Sequence, residues 1–173
     1  MSPDRIESLF GILAAVVICF AYLSKKKVTM LFLFAAANLF VGVSLLALGR
    51  YDSTILYFLG FAQTGTCAVF ALKDRVPPKA VNALFIIAFL SVSSVKLIID
   101  YTSPVDILPL LATAAFAVSF AQKDENKIRF VSFFNLIFWA VYFILVGSTA
   151  VYTELVAMVA DAYAMIKAKR TNG

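Results

Sequence analysis

Polar positions are sparse in this chain, and the breaks they make are regularly spaced. Apolar runs of about 17–25 residues recur along its whole length, and runs of that length cross a bilayer as helices. The pattern predicts seven spans, at 7–24, 28–48, 53–72, 80–99, 104–121, 128–147 and 149–168. The connections between them are short, as packed neighbouring helices require.

Two stretches share an order of features. Residues 25–49, KKKVTMLFLFAAANLFVGVSLLALG, pass from a basic loop through an apolar run with Asn38 in its middle to Gly49. Residues 123–147, KDENKIRFVSFFNLIFWAVYFILVG, pass from a charged loop through an apolar run with Asn135 near its middle to Gly147. Each glycine is followed by another apolar span with a polar residue deep inside, Gln63 in the first and Asp161 in the second. A basic exit follows each, KDR at 73–75 and KAKR at 167–170. The parallel order predicts an internal duplication. Two copies of three spans joined directly would be inverted. One intervening span makes them parallel, related by an axis along the membrane normal. The expected fold is therefore all-α membrane: seven transmembrane helices, two parallel three-helix repeats joined by a linker helix, a 3+1+3 plan. One integral membrane domain covers 1–173, with repeat one at 7–72, the linker at 80–99 and repeat two at 104–168.

Charge tests the span count independently. The chain has 15 Lys and Arg against 10 Asp and Glu, a net charge of +5. With seven spans, the side of the N-terminus holds Arg5 and Arg50. The opposite side holds Lys25, Lys26, Lys27, Lys73, Arg75, Lys79, Lys123, Lys127, Arg129, Lys167, Lys169 and Arg170, while Lys96 falls within span 4. Basic residues are retained on the cytoplasmic side, so the N-terminus is expected outside and the C-terminus inside a plasma membrane. Dropping span 4 would spoil the partition. The same placement accounts for the basic balance without nucleic acid. The first eight residues mix Asp4, Arg5 and Glu7 and lack the basic start of a secretory signal, so the first span is expected to be retained.

Composition removes other classes. At 62% hydrophobic and 14% charged, the chain is far from the mix of a soluble domain. Cys19 and Cys67 lie inside apolar runs with no metal or disulfide spacing. There is no histidine, the commonest general base and metal ligand. No nucleophile has an evident base; Ser91, Ser93 and Ser94 in span 4 read as small polar helix residues. An enzyme, a metal and a cofactor are therefore not expected.

The polar residues inside spans carry the functional candidates, because a polar side chain in hydrocarbon needs a partner, a cavity or water. Asn38, Gln63, Asn135 and Asp161 come from the second and third helix of each copy. They read either as a central solute site or as interhelical hydrogen-bonding glue. Asp161 is the sharper case, since a carboxylate at a helix centre costs about 2.5–3.5 kcal/mol on the insertion scale. It could bind solute or exchange a proton. Glu154, seven residues earlier on the same helical face, reads as lining an outer vestibule or pairing with Lys96. Lys96 could equally pair with Asp100 or reach the interface. Trp139 and Tyr142 share a face with Asn135, where an aromatic ring suits the flat face of a sugar or nucleoside; ordinary packing is the alternative. Pro109 removes a backbone hydrogen bond inside span 5, which reads as a hinge or a static kink. Gly60 and Thr64 allow close helix approach.

Residues 103–170 resemble the YgjV-type bacterial inner-membrane proteins. The matching features are PVDILPLL at 104–111, the Trp139 helix, GST at 147–149, and Glu154 with Asp161 seven residues on. More distantly, the 3+1+3 plan is similar to the SWEET sugar transporters and the Pnu-type vitamin transporters. That likeness implies a seven-helix transporter-like fold and, by position, a solute-lining role for Gln63 and Asp161, where SWEETs carry Asn. The expected function is a transporter or facilitator of a small polar solute in the bacterial inner membrane, acting by alternating access of the two bundles. Its partners are the lipid bilayer and that solute, and a homo-oligomer is compatible with the sequence. The rival reading is a membrane scaffold or interaction subunit with no solute path.

Overall fold

A computed structural model describes the backbone at 3–47, 49, 51–145, 147 and 151–171, and side chains at 5–47, 49, 51, 53–145, 147 and 151–167. Arg50, Ser148 and Thr149, and the side chains of Asp4, Lys169 and Arg170, used above for topology and motif, lie outside the described residues. Seven α-helices are described: α1 Pro3–Leu23, α2 Lys27–Ala47, α3 Tyr51–Ala71, α4 Lys79–Asp100, α5 Ile107–Ser119, α6 Glu125–Leu145 and α7 Val151–Thr171, with a 3-10 turn at Pro104–Asp106. The chain divides into two compact units, Met1–Pro78 and Lys79–Gly173, so the fourth helix groups with the second unit.

Among the described residues, five helices are long and apolar enough to cross a membrane: α1, α2, α3, α4 and α6. The seven expected spans are thus reduced to five that meet this test. The fifth expected span, at 104–121, is trimmed at its start. Its first residues form the 3-10 turn, leaving a helix of 13 residues, about 20 Å long. The seventh has a polar buried side. Its buried and half-buried face carries Glu154, Ala157 and Asp161, while Tyr152, Leu155, Val156, Val159, Tyr163 and Ile166 are exposed. Polar inside and apolar outside is the reverse of a helix in water and the order expected against lipid. The α4 helix is similarly clothed, with Leu84, Ile87, Val95, Ile98 and Ile99 exposed.

Helix ends follow local chemistry. Gly49 (φ +70°) and Gly147 (φ +68°) close α2 and α6 in the left-handed region, which glycine enters without a Cβ clash. Asp124 caps α6: its Oδ1 accepts the backbone N–H of Asn126 at 2.8 Å and of Lys127 at 3.2 Å. In the α4–α5 turn, Asp106 Oδ2 accepts the N–H of Thr102 (2.8 Å), the N–H of Ser103 (2.8 Å) and the Thr102 hydroxyl (2.9 Å). Those bonds, the Thr102 N–H first, hold the exposed Asp106 carboxyl below its ordinary 3.8. The PVD of the 104–111 motif is thus a turn clamp.

In the first unit α2 lies against both α1 and α3. Against α1, the Tyr22 and Phe34 rings meet edge-on at 5.0 Å, and the Ser44 hydroxyl donates to the Glu7 carbonyl at 3.1 Å. Against α3, small residues let the backbones close in. A Cβ built on Gly42 would lie 3.2 Å from the Phe58 ring, and one built on Gly60 only 2.9 Å from Asn38 Oδ1. In the second unit α4 lies on α5, where the Phe89 and Phe116 rings meet at 5.7 Å. The α6 helix lies against both α5 and α7.

Candidate functional site

Each candidate is placed by the helix that carries it. Asn38 is buried on α2, and its amide Nδ2 donates to the Phe34 carbonyl one turn back at 2.9 Å. Its oxygen side rests on Gly60 of α3. Counting explains the meeting. Asn38 stands nine residues before the end of α2 at Ala47, and Gly60 nine residues after the start of α3 at Tyr51. In an antiparallel pair both therefore lie about 14 Å from the connecting turn. Thr64, one turn on, donates its hydroxyl to the Gly60 carbonyl at 2.6 Å. Gln63 is fully buried on α3.

The same count applied to α6 and α7 places Asn135 level with Asp161. Asn135 is ten residues before Leu145, and Asp161 ten residues after Val151. Both are buried, at 8% and 0% exposure. Neither carboxylate oxygen of Asp161 accepts a hydrogen bond among the described residues, and neither does Asn135 Oδ1. Buried polar atoms nearly always have a partner, and a buried charge is far more costly to leave open than an amide. These three acceptors stand with Asn82 Oδ1 and Ser93 Oγ among the open buried polar atoms of the second unit, and the Asp161 carboxylate is the costliest of them.

One residue near them was read from the sequence only as a topology marker. Arg129, on α6, is 4% exposed rather than in the loop. Arg129, Ser132 and Asn135 follow at intervals of three on α6 and are all buried, a polar stripe beside the apolar positions Ile128, Leu136 and Ala140. The three-residue spacing was present in the sequence and would have marked the face.

The remaining candidates separate. Glu154 is half-buried on the Asp161 face of α7, two turns nearer the α6–α7 connection. Trp139 and Tyr142 are half-buried on α6, with rings 5.8 Å apart edge-on. Trp139 stacks on Phe143 at 5.4 Å and 18°, so one flat face is already covered by its own helix. Pro109 is the third residue of α5, which continues directly from the 3-10 turn Pro104–Asp106. Its carbonyl accepts the Thr113 hydroxyl at 2.7 Å. Among the described residues no group of three His, Cys, Asp or Glu side chains could hold a metal ion.

Residues 5–172 match the family Imp-YgjV, described as bacterial inner membrane protein. No curated protein and no solved structure matches the chain.

Proposed function

The chain belongs to the Imp-YgjV family of bacterial inner-membrane proteins, and from that premise we propose that it carries a small polar solute across the inner membrane. The proposal treats α1–α3 and α5–α7 as parallel repeats joined by α4, as in SWEET-like transporters, and working by alternating access. The N-terminus faces outward and the C-terminus the cytoplasm. Solute-facing residues are Asn38 and Gln63 in one bundle and Asn135, Trp139 and Asp161 in the other, with Glu154 and Tyr142 nearer the outer surface. No catalytic residue is assigned.

The observation that carries this reading is Asp161: a carboxylate at the centre of a helix with an apolar outer face, fully buried, with both oxygens unbonded. A purely structural Asp at that depth would be expected to bond a neighbouring donor, since an open buried charge is among the most destabilising features a fold can carry. Equal lengths of α2 and α6, each closed by a left-handed glycine, support the repeat.

The test is uptake into proteoliposomes against sugars, nucleosides and vitamins, with and without a proton gradient. Wild type should accumulate at least one class, and Asp161→Asn should lose gradient-driven uptake while retaining exchange. No uptake of any class would end the transport reading, and equal gradient dependence in both proteins would end proton coupling. Reporter fusions placing both termini in one compartment would end the seven-span topology.

One observation favours the scaffold reading instead. Asn38 is bonded to its own helix and seated on Gly60, as packing glue would be. On that reading the Asp161 acceptors would also be closed, by a partner subunit, and no solute would move.

A further inference from the structure

One end of the first unit, where α1 turns into α2 and α3 finishes, gathers cations. The α1–α2 connection carries Lys25 and Lys26, Lys27 opens α2, and the exit of α3 carries Lys73, Asp74 and Arg75. The antiparallel register that sets Asn38 on Gly60 also sets Lys27 level with Ala71 and Lys25 level with Lys73. Five basic residues thus share this end with one acidic residue, Asp74. Lys25, Lys26, Lys73 and Arg75 are all exposed. The first turn of α2 holds no acidic residue to offset them. At the opposite end the described charged side chains are Arg5 and Glu7, one of each sign.

The backbone holds the cluster together. The Arg75 N–H donates to the Phe70 carbonyl at 3.0 Å, and the Asp74 N–H to the Ala71 carbonyl at 3.1 Å. Asp74 takes the left-handed conformation, φ +50°. This closing motif turns the chain at once, so Arg75 stays close to the helix end rather than trailing away from it.

The complement of such a cluster is an anion, and the surface just inboard says which kind. Immediately before Lys25, Phe20 and Leu23 are exposed; immediately before Lys73, Val69 and Leu72 are exposed. All three helices are long and apolar enough to cross a bilayer. In a bilayer this apolar band meets acyl chains and the cations beyond it meet the headgroup layer. Lys and Arg stems lie along such a band with the charge held outward. A nucleic acid or an acidic peptide would use the charge and leave the apolar band unused. An anionic phospholipid fits both at once.

The second unit supplies a contrast. Its α5–α6 connection and the start of α6 set Lys123 and Lys127 among Asp124 and Glu125, so charge there is balanced locally.

We propose that the basic end of the first unit, Lys25, Lys26, Lys73 and Arg75, binds the phosphodiester headgroup of an anionic phospholipid. This needs only that the first three helices cross the bilayer, and not that any solute is carried.

The experiment uses the purified full-length protein in dodecyl maltoside, with dioleoylphosphatidylglycerol as probe and the lipid-bound fraction read by native mass spectrometry. Dioleoylphosphatidylcholine is the control, since it shares the phosphate and the chains but has no net charge. Wild type should hold the anionic lipid about tenfold more tightly, and the preference should shrink as ionic strength rises. Lys25→Gln/Lys26→Gln and Lys73→Gln/Arg75→Gln should each weaken that binding about tenfold. Lys123→Gln/Lys127→Gln should leave it unchanged. Glycerol phosphate in excess should not displace the lipid, because it has no chains to seat. Equal binding of the two lipids, a preference indifferent to salt, or paired variants at the basic end that bind like wild type overturn the proposal. So does displacement by glycerol phosphate, which would assign the end to a free anion. An equal loss in Lys123→Gln/Lys127→Gln also overturns it, by reducing the effect to overall charge. Should a pair at the basic end not fold, the salt and lipid comparisons on wild type decide.

Discussion

Gly60→Ala, paired with Gly65→Ala, tests whether the Asn38 seam holds α2 to α3. A Cβ on Gly60 would lie 2.9 Å from Asn38 Oδ1, 3.0 Å from its Cγ and 3.3 Å from its Nδ2, whereas one on Gly65 meets nothing within 4 Å. Replacing Gly by Ala within a helix favours the helix by about 1 kcal/mol at either site. At Gly65 that gain should appear nearly whole. At Gly60 it is opposed by overpacking of about 1–3 kcal/mol. The amide cannot simply swing away, because it is buried and tied to the Phe34 carbonyl. Giving up that bond adds about 1–3 kcal/mol for a polar group left open. The net expectation is a loss of about 1–5 kcal/mol at Gly60 against a gain of up to about 1 kcal/mol at Gly65. The assay is unfolding of the purified protein from bicelles by rising dodecyl sulfate, followed by circular dichroism. In an Asn38→Ala background Gly60→Ala should lose most of its penalty, since the clashing atoms are gone. A Gly60→Ala protein as stable as Gly65→Ala would refute the contact.

Two further predictions concern the start of the second trio. Asp106→Ala removes three hydrogen bonds from the α4–α5 turn, so backbone amide exchange at Thr102 and Ser103 should rise. Because the folded Asp106 carboxyl sits below its ordinary 3.8, its support is fully present above that value and is lost as pH falls through the lower folded one. The protection factor of these amides, exchange corrected for its intrinsic pH dependence, should therefore fall in wild type only in strong acid and be flat with pH in the mutant. Pro109→Ala should leave both stability and uptake nearly unchanged, because the ring sits in the first turn. A large loss of uptake in a folded Pro109→Ala protein would restore the hinge.

Hydropathy made the helices legible, since lipid demands long apolar runs and forbids unpaired backbone. Both glycine stops and the middle positions of Asn38 and Asn135 could be read directly. The 104–121 region was less legible, because Pro104, Val105 and Asp106 run straight into the apolar stretch Ile107–Ser119 while their local bonds make a turn. The seventh helix hid its character in the opposite way. A polar inner face lowered its average although its outer face is apolar. Arg129 was read with the loop lysines because charge near a span end ordinarily marks an interface. Burial is a tertiary property, and no single-residue scale reports it.

The two asparagines show how one residue type takes different roles. Each sits mid-helix on the central member of a trio, and each is brought level with α3 or α7 by the same antiparallel count. What differs is the residue across the seam. Opposite Asn38 stands Gly60, which offers no side chain, so the helices close until the amide fills the space and bonds its own backbone. At the level of Asn135 stands Asp161, whose carboxylate brings acceptors but no proton donor when ionised. Neither Asp161 oxygen nor Asn135 Oδ1 meets a donor among the described residues, and all three remain open. A seam built only for adhesion would have gained by a Gly or Ala at 161, as at 60. At that level α7 carries a side chain with two open acceptors where α3 carries none, and that is the physical difference between the two seams.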